Sequence, residues 1–452
     1  MIKSAVPPNL ANSATRHLPK PVFMIKIQRQ YQEKFDRIVE QTPFPLLPPR
    51  EQDFIRTKAF DLGFTLQELR QVSEMALDRI RWKESPLSGN WPDMIIKGDS
   101  RAVKKRVLGI LSKSQNSLRS GQKSYTSLTL KDKPQTLKPV LKTTLQPGLG
   151  LGRCPVASER TRCCNLLTLD AVEKCGFDCS YCSIQSFYHG NEVVFDSGFA
   201  DKLAKLELDP DKTYHIGTGQ SSDSLMWGNH QGVLEALSEF ASRNPNVILE
   251  LKTKSRNIGW LLKNPVPRNM ICTWSLNPQT IIDHEEHLSA SLDQRINSAR
   301  LLADKGCIVG FHFHPIIHYQ GWENDYRQIC DSLVEQFDPA QVALVSLGTL
   351  TFTRSVMKKI RNRDLTSKIL QMPLEDSAGK LSYPLDIKLD LFRSVFQFLG
   401  PWHEKVFFYL CMESQELWKP VFGHEYDSNE ELENAMKAAY MSKITNTISP
   451  DL

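Results

Sequence analysis

From about residue 160 onward, short apolar runs alternate with longer segments of helical period. The runs Asn165–Ala171, Tyr214–Gly217, Val247–Lys252, Met270–Ser275, Ile308–Ile316, Val342–Leu347 and Val406–Cys411 are compact and mostly apolar, which predicts strands. Between them, Gly232–Ser242, Ser291–Lys305, Glu323–Gln336 and Ile387–Leu399 repeat apolar residues at spacings of three and four, which predicts helices. Regular alternation of this kind implies an α/β fold with a parallel sheet, closed into a partial or full (β/α) barrel. In such barrels the chemistry gathers at the C-terminal ends of the strands.

The N-terminal third has another character. Residues 1–50 contain many prolines and little period, so a mainly helical or irregular extension is expected. Residues 51–83 predict two helices broken at Leu62-Gly63-Phe64. The second opens on a capping box, Thr65-Leu-Gln-Glu68, and carries the stripe Leu66, Leu69, Val72, Met75 and Ile80. A helical hairpin and a helix-turn-helix reader of DNA both fit this pattern. Pro147-Gly-Leu-Gly-Leu-Gly152 follows no recognisable strand, which suggests a flexible hinge and not a dinucleotide loop. The expected organisation is an extension over 1–100, a basic flexible segment over 101–155, a barrel core over 156–430 and a helical tail over 431–452.

Length, 452 residues, allows one large and one smaller domain. The net charge is only +5, but it is unevenly spread. Residues 101–142 hold eleven Lys or Arg against the single acid Asp132, which suits either phosphate binding or a solvated linker. No apolar run is long enough to span a bilayer. The first residues lack the apolar region of a secretory signal, although Lys3, Arg16, Lys20, Lys26 and Arg29 occur there without an acid. Ten cysteines in a long chain of this kind suggest reduced thiols and a cytoplasmic location.

Three of those cysteines carry the strongest chemical signal. Cys175-Gly-Phe-Asp-Cys179-Ser-Tyr-Cys182 places three thiols on one loop, directly after the first predicted barrel strand. Three thiolates can hold three irons of a cubane [4Fe–4S] cluster and leave the fourth iron open to a small molecule. A zinc site or second cluster completed by Cys154, Cys163 and Cys164 is the competing reading.

The C-x3-C-x2-C spacing, with Tyr181 before the third cysteine, resembles the signature of the radical S-adenosylmethionine (SAM) enzymes. The resemblance continues through Gly217-Thr-Gly-Gln-Ser-Ser-Asp-Ser224, Leu251-Lys-Thr-Lys-Ser255, Trp274-Ser-Leu-Asn-Pro278, Ser289-Ala-Ser-Leu-Asp-Gln-Arg295, Phe313-His-Pro-Ile-Ile317 and Gly321-Trp-Glu323. Taken in order, these motifs look like the spore photoproduct lyase family of DNA-repair enzymes over roughly residues 160–425. The resemblance implies a radical SAM-type partial barrel, a [4Fe–4S] cluster on Cys175, Cys179 and Cys182, and bound SAM. It further implies cleavage of SAM to a 5′-deoxyadenosyl radical that opens a thymine photolesion, with a reductant such as flavodoxin or ferredoxin. Gly217, Gly219, Ser222, Asp223, Lys254, Ser275 and Asn277 are the expected SAM contacts. Tyr181 is placed beside the cluster with a radical-relay role. Arg354, Lys358 and Lys359 are expected to hold DNA phosphates. His312 and His314 share one strand face and, with His318, are candidates for lining the cavity, for a core role or for a metal.

Two positions depart from the family. Its hydrogen-donating cysteine falls at Gln220, whose amide N–H is too strong a bond to serve, and a second tyrosine falls at Ser183. Cys272, Cys307 and Cys411 are the candidate substitute thiols. Two other functions stay open on this ground. One is radical SAM modification of another substrate, RNA or a peptide. The other is an iron–sulfur nucleic-acid-binding module without turnover.

Overall fold

The computed structural model describes residues 21–92, 100–121, 123–126, 128, 139–154, 161–184, 190–377 and 379–446. The described chain divides into two compact units, one running to Ile80 and including Glu84–Gln115, the other made of Arg81–Lys83 and everything from Asn116 onward.

The first unit is helical: α1 Pro21–Val39, α2 Pro49–Leu62, α3 Leu66–Arg81 and most of α4 Ser100–Ser120. Gly63 ends α2 at φ 63°, a left-handed turn that suits a residue without Cβ. The capping box forms as read: the Glu68 carboxylate accepts from the Thr65 amide at 2.8 Å, and Thr65 Oγ1 accepts from the Glu68 amide at 3.3 Å. Leu69, Val72 and Met75 of the stripe are buried against Phe35, Phe44, Ile55, Val103 and Leu111. Arg79, also buried, donates to Gln115 at 3.1 Å and to Ser114 at 2.8 Å. Residues 21–39 are helical. One expectation fails here: the basic stretch read as flexible begins with the 21-residue helix α4. The buried stripe Val103, Val107 and Leu111 explains the miss: an i, i+4, i+8 apolar edge was hidden under the lysines and arginines.

The second unit is built on an eight-stranded sheet. Its strands are β1 Gly150–Arg153, β2 Leu167–Asp170, β3 Tyr214–Thr218, β4 Val247–Thr253, β5 Met270–Ser275, β6 Val309–Ile316, β7 Val342–Thr349 and β8 Phe407–Leu410. They lie side by side in chain order. β2 to β8 are parallel, and β1 pairs antiparallel with β2. The glycine run read as a hinge is therefore an edge strand. A Cβ on Gly150 would stand 2.4 Å from the Asp170 carbonyl oxygen, so the glycine permits the close pairing. Helices α5 Val233–Arg243, α6 Leu292–Asp304, α7 Trp322–Gln336 and α9 Leu385–Phe398 fall where the sequence predicts them; α8 Arg354–Asn362 and α10 Asn429–Thr445 complete the set used below.

The two edges of the sheet are tied together by side chains. Arg162 pairs through its backbone with Glu413, and its guanidinium donates to the Tyr426 carbonyl at 2.9 Å and to Gln415 at 2.7 Å. Asn429 accepts from the Cys163 amide at 3.0 Å. Arg268 donates to the Lys443, Ile444 and Asn446 carbonyls at the end of α10, satisfying acceptors that a helix end leaves open.

Residues facing the barrel interior follow the period of two along each strand. Glu250 of β4 accepts from His215 Nε2 at 2.9 Å, His312 Nε2 at 2.7 Å and Thr273 at 2.8 Å. Both Nδ1 atoms are buried without a partner. A neutral imidazole with its proton on Nε2 leaves only a lone pair there, whereas an imidazolium would strand a buried N–H. Burial accordingly lowers the His312 pKa to about 4 and holds His314 well below its usual range. A lowered folded-state pKa means that the unfolded chain takes up the proton first as pH falls. We expect unfolding free energy to drop between pH 6.5 and about 4, and His312→Gln to reduce the slope by about 1.4 kcal/mol per pH unit. Denaturant titrations across that window check this; an unchanged slope would mean that His312 is charged when folded.

Candidate active site: a cysteine loop at the mouth of the barrel

The C-terminal ends of the strands open into a cavity of ≈ 250 Å³. Cys175, Cys179, Tyr181 and Cys182 line one wall. Gly219, Gln220, Ser222 and Asp223 come from the loop after β3, Lys252 and Lys254 from β4 and its end, and Ser275 from the end of β5; His314 and Thr349–Phe352 complete the far side.

The cysteine loop is held from behind by two adjacent acids. Residues Asp178–Cys179 form a short antiparallel ladder with Glu286–His287. The Glu285 carboxylate accepts from Ser180, from Tyr125 at 2.9 Å, from Ser367 at 2.7 Å and from the Lys368 amide at 3.0 Å. The Glu286 carboxylate accepts from the Tyr181 hydroxyl, from Asn277 at 2.8 Å and from Arg295 at 2.5 Å. Arg295 is fully buried and also donates to the Ala290 and Ser275 carbonyls. Burial alone would raise the Glu286 carboxyl; Arg295 and Lys254 bring it down to about 2. On the outer side Arg363 pairs with Asp178. Gly176 lies so close to Met226 that a Cβ would stand 2.3 Å from its methyl carbon.

Asp223 fixes the opposite wall. Its Oδ1 accepts from the Leu225 and Met226 amides and from Thr253 Oγ1 at 2.7 Å, and its Oδ2 from the Lys254 amide at 2.7 Å. Burial raises its carboxyl pKa, with these donors pulling back. The carboxylate thus sets where Lys254 leaves the backbone, and the Lys254 ammonium lies 5.9 Å from the Tyr181 ring centroid, within cation–π range. Ser222 donates to the Lys174 carbonyl at 3.0 Å and receives from the Trp227 indole. Gly219 has φ +81°, and a Cβ there would meet Ser224 at 2.5 Å and the Lys252 carbonyl at 2.9 Å; no other residue fits that turn.

Of the remaining sequence-predicted residues, Gly217 lies within β3, where its bare face receives Leu166. Asn277 is buried behind the cavity, between Glu286 and Tyr326. Cys272 alternates with Thr273 and Ser275 and so faces away from the interior, about 10 Å down the strand from Ser275. Cys307 precedes β6 at the far end of the sheet. Neither thiol lines the cavity. Cys411 stands next to cavity-lining Met412. His318 is apart, packed with Trp322 and Tyr383. Arg354 and Lys358 are exposed on α8, which starts two residues after cavity-lining Phe352; Lys359 is half-buried.

Sequence reading missed Glu285, Glu286, Lys252 and Gly348. Glu285 ends a short helix and Glu286 begins the ladder beside Cys179, so neither belongs to a periodic stripe. Gly348 leaves room for the His314 ring, which a Cβ would approach to 2.6 Å.

The donor chemistry of the cysteine loop fits a cubane cluster. Among the described residues, no three His, Cys, Asp or Glu side chains converge on a single metal ion. A cubane does not require that, because each thiolate binds a different iron. Three thiols spread along one cavity wall match that need, and the Lys254 charge favours thiolate at Cys175 and Cys179 against the burial that raises both. Loading must therefore expel protons.

Comparison with known proteins agrees with this arrangement. Residues 174–382 match the family model described as spore photoproduct lyase. A spore photoproduct lyase of Clostridium acetobutylicum is 25% identical over 223 residues, covering 48% of this chain and 64% of that protein. One from a Geobacillus species is 25% identical over 216 residues, covering 46% of this chain and 62% of that protein. The chain thus spans less than two thirds of the length of these relatives. Among solved structures, a spore photoproduct lyase complexed with dinucleoside spore photoproduct superposes with a TM-score of 0.53 at 18% identity, covering 64% of this chain and 89% of that one. A double mutant with bound AdoMet and dinucleoside spore photoproduct gives 0.52 at 19% identity, with 60% and 82% covered. The likeness to these structures carries the fold, and over residues 174–382 the sequence is similar to the spore photoproduct lyase family.

Proposed function

We propose that this protein is a radical SAM lyase that acts on a thymine photolesion in DNA. The observation that carries the reading is one cavity lined by Cys175, Cys179 and Cys182, by Tyr181, and by the Gly219–Asp223 loop with Lys254 and Ser275. A [4Fe–4S] cluster on the three thiolates, with SAM on its open iron, supplies a 5′-deoxyadenosyl radical when both are bound. Lys254 would pair the SAM carboxylate, because it is a cation at the cavity wall whose stem is fixed through Asp223. Ser275 and the backbone around Gly219 and Ser222 offer polar partners to the rest of SAM, while Gly217 and Asn277 support the walls. Tyr181, held by Glu286, packs beside the cluster. Arg354 and Lys358, with Lys359 on the same helix, would hold phosphates on either side of a lesion entering past Phe352. A damaged base must leave its stack to reach such a site. The reductant belongs to the flavodoxin or ferredoxin class. Among the described residues no helix is long and apolar enough to cross a membrane.

One observation favours a second reading, in which another substrate receives the radical: Gln220, not a thiol, faces the cavity. Anaerobic reconstitution with SAM and dithionite separates the two. The first reading expects 5′-deoxyadenosine formation that rises with dinucleoside spore photoproduct and releases thymine. Nucleoside formation indifferent to that compound would move the assignment to another substrate. A full cluster with no nucleoside at all would leave an iron–sulfur binding module.

A further inference from the structure

The proposed reaction removes a hydrogen atom from a substrate carbon and must return one. Among side chains, only thiols and the tyrosine phenol have X–H bonds weak enough to give a hydrogen atom to a carbon radical, and the Tyr181 phenol is already held by Glu286. Cys272 and Cys307, buried away from the cavity, are badly placed for this. Four other thiols meet where the two edges of the sheet come together. Cys154 follows β1, Cys163 and Cys164 precede β2, and Cys411 follows β8. They are near enough to act on one another electrostatically: Cys411 responds to Cys154 and Cys163, and Cys164 to Cys163 and Cys411. Cys154 is the one that touches the cavity wall. Its Sγ lies 3.9 Å from Nε2 of Gln220, and Gln220 lines the cavity. The Cys154 amide donates to the Leu166 carbonyl at 3.1 Å, so its backbone is held in the sheet. A rotation of the Gln220 side chain, which has three soft torsions, would expose the sulfur to the cavity.

We propose that Cys154 is the hydrogen-atom donor of this site, standing behind Gln220. The inference rests on the radical SAM lyase reading above. The Cys154 S–H bond breaks as the product C–H bond forms, and a Cys154 thiyl radical remains. A soluble dithiol returns one hydrogen atom to that sulfur. Two turnovers thus oxidise one dithiol to its cyclic disulfide, and each turnover uses one electron and one SAM. Gln220 is a positioning residue that covers the sulfur until substrate is in place. Cys163 and Cys411 are neighbours of the donor, and among the described residues no contact of either with a cavity-lining side chain matches that of Cys154 with Gln220.

The test uses D2O, where thiols carry deuterium and carbon-bound hydrogens do not exchange. The reconstituted full-length protein, given SAM, dithionite, dithiothreitol and dinucleoside spore photoproduct, should yield thymine carrying one deuterium at the repaired carbon. Cys154→Ala should cut that deuterium by about tenfold and raise 5′-deoxyadenosine per thymine. Adding Gln220→Cys to Cys154→Ala should restore the deuterium. A readout independent of activity comes from cluster-free protein: Gln220→Cys should form a disulfide with Cys154 on mild oxidation, mapped by peptide mass. Deuterium transfer that survives Cys154→Ala, or that is lost on Cys411→Ala alone, overturns the assignment. Nucleoside without thymine overturns the substrate reading instead; in that case deuterium in 5′-deoxyadenosine itself, lost in Cys154→Ala, still supports the donor, and its persistence sinks it. No nucleoside in any variant removes the radical reading and this inference together.

Discussion

Glu286→Ala should destabilise the barrel unit by about 3–5 kcal/mol, because it leaves a buried guanidinium without its counter-charge. Arg295 is 0% exposed, and its other acceptors are two backbone carbonyls and Ser289; none of them carries charge. The same carboxylate holds the Tyr181 hydroxyl and the Asn277 amide, so its loss also frees three donors in a dry site. The effect should reach the cysteine loop, since the lost carboxylate holds the Tyr181 hydroxyl within that loop. Guanidinium unfolding of cluster-free protein measures the loss. Removing both charges, with Glu286→Gln and Arg295→Met, should recover a large part of it, because the stranded charge is then gone. A Glu286→Ala protein as stable as the parent would mean that water reaches Arg295.

Cys179→Ala should abolish cluster binding and leave the fold standing. Cys179 is the most enclosed of the three loop thiols, and its backbone is anchored by the Glu286 pairing. The truncation removes a single sulfur from a wall that already faces a cavity, so the stability cost should be about 1 kcal/mol. The chemical cost should be far larger. One iron loses its only protein ligand, and iron content after reconstitution should fall from about four per chain towards zero. SAM-dependent 5′-deoxyadenosine should fall to background, a loss on the order of 10³-fold. Iron retained at parental level in Cys179→Ala would point to a different ligand set, with Cys154, Cys163 and Cys164 the first to examine.

The two results would separate the two tasks of the loop. Glu286 acts through packing and charge on a scaffold, and its loss should appear even without iron. Cys179 acts on the metal, and its loss should be silent until iron is offered. Glu285 belongs with the scaffold, since its four donors are Ser180, Tyr125, Ser367 and the Lys368 amide.

Much of this protein is legible in its sequence because two kinds of signal are local. Apolar runs such as Val247–Thr253 and Val342–Thr349 are buried on both faces, so they stand out without knowledge of their neighbours. The spacing of Cys175, Cys179 and Cys182 is set by one short loop, and the capping box at Thr65 closes within four residues. The parallel sheet followed as well, because each β/α unit lays its strand beside the last.

What the tertiary structure alone decided is which distant side chains meet. Helix α4 was hidden by its own charges until Val103, Val107 and Leu111 found a core to enter. Pro147–Gly152 reads as a hinge until Asp170 pairs with Gly150. Glu286 and Tyr181 are 105 residues apart, and Gln220 and Cys154 are 66 apart. No periodicity encodes such pairs, because a hydrogen bond or a thiol contact depends on separation in space, which the chain fixes only after the sheet has curved and its two edges have met.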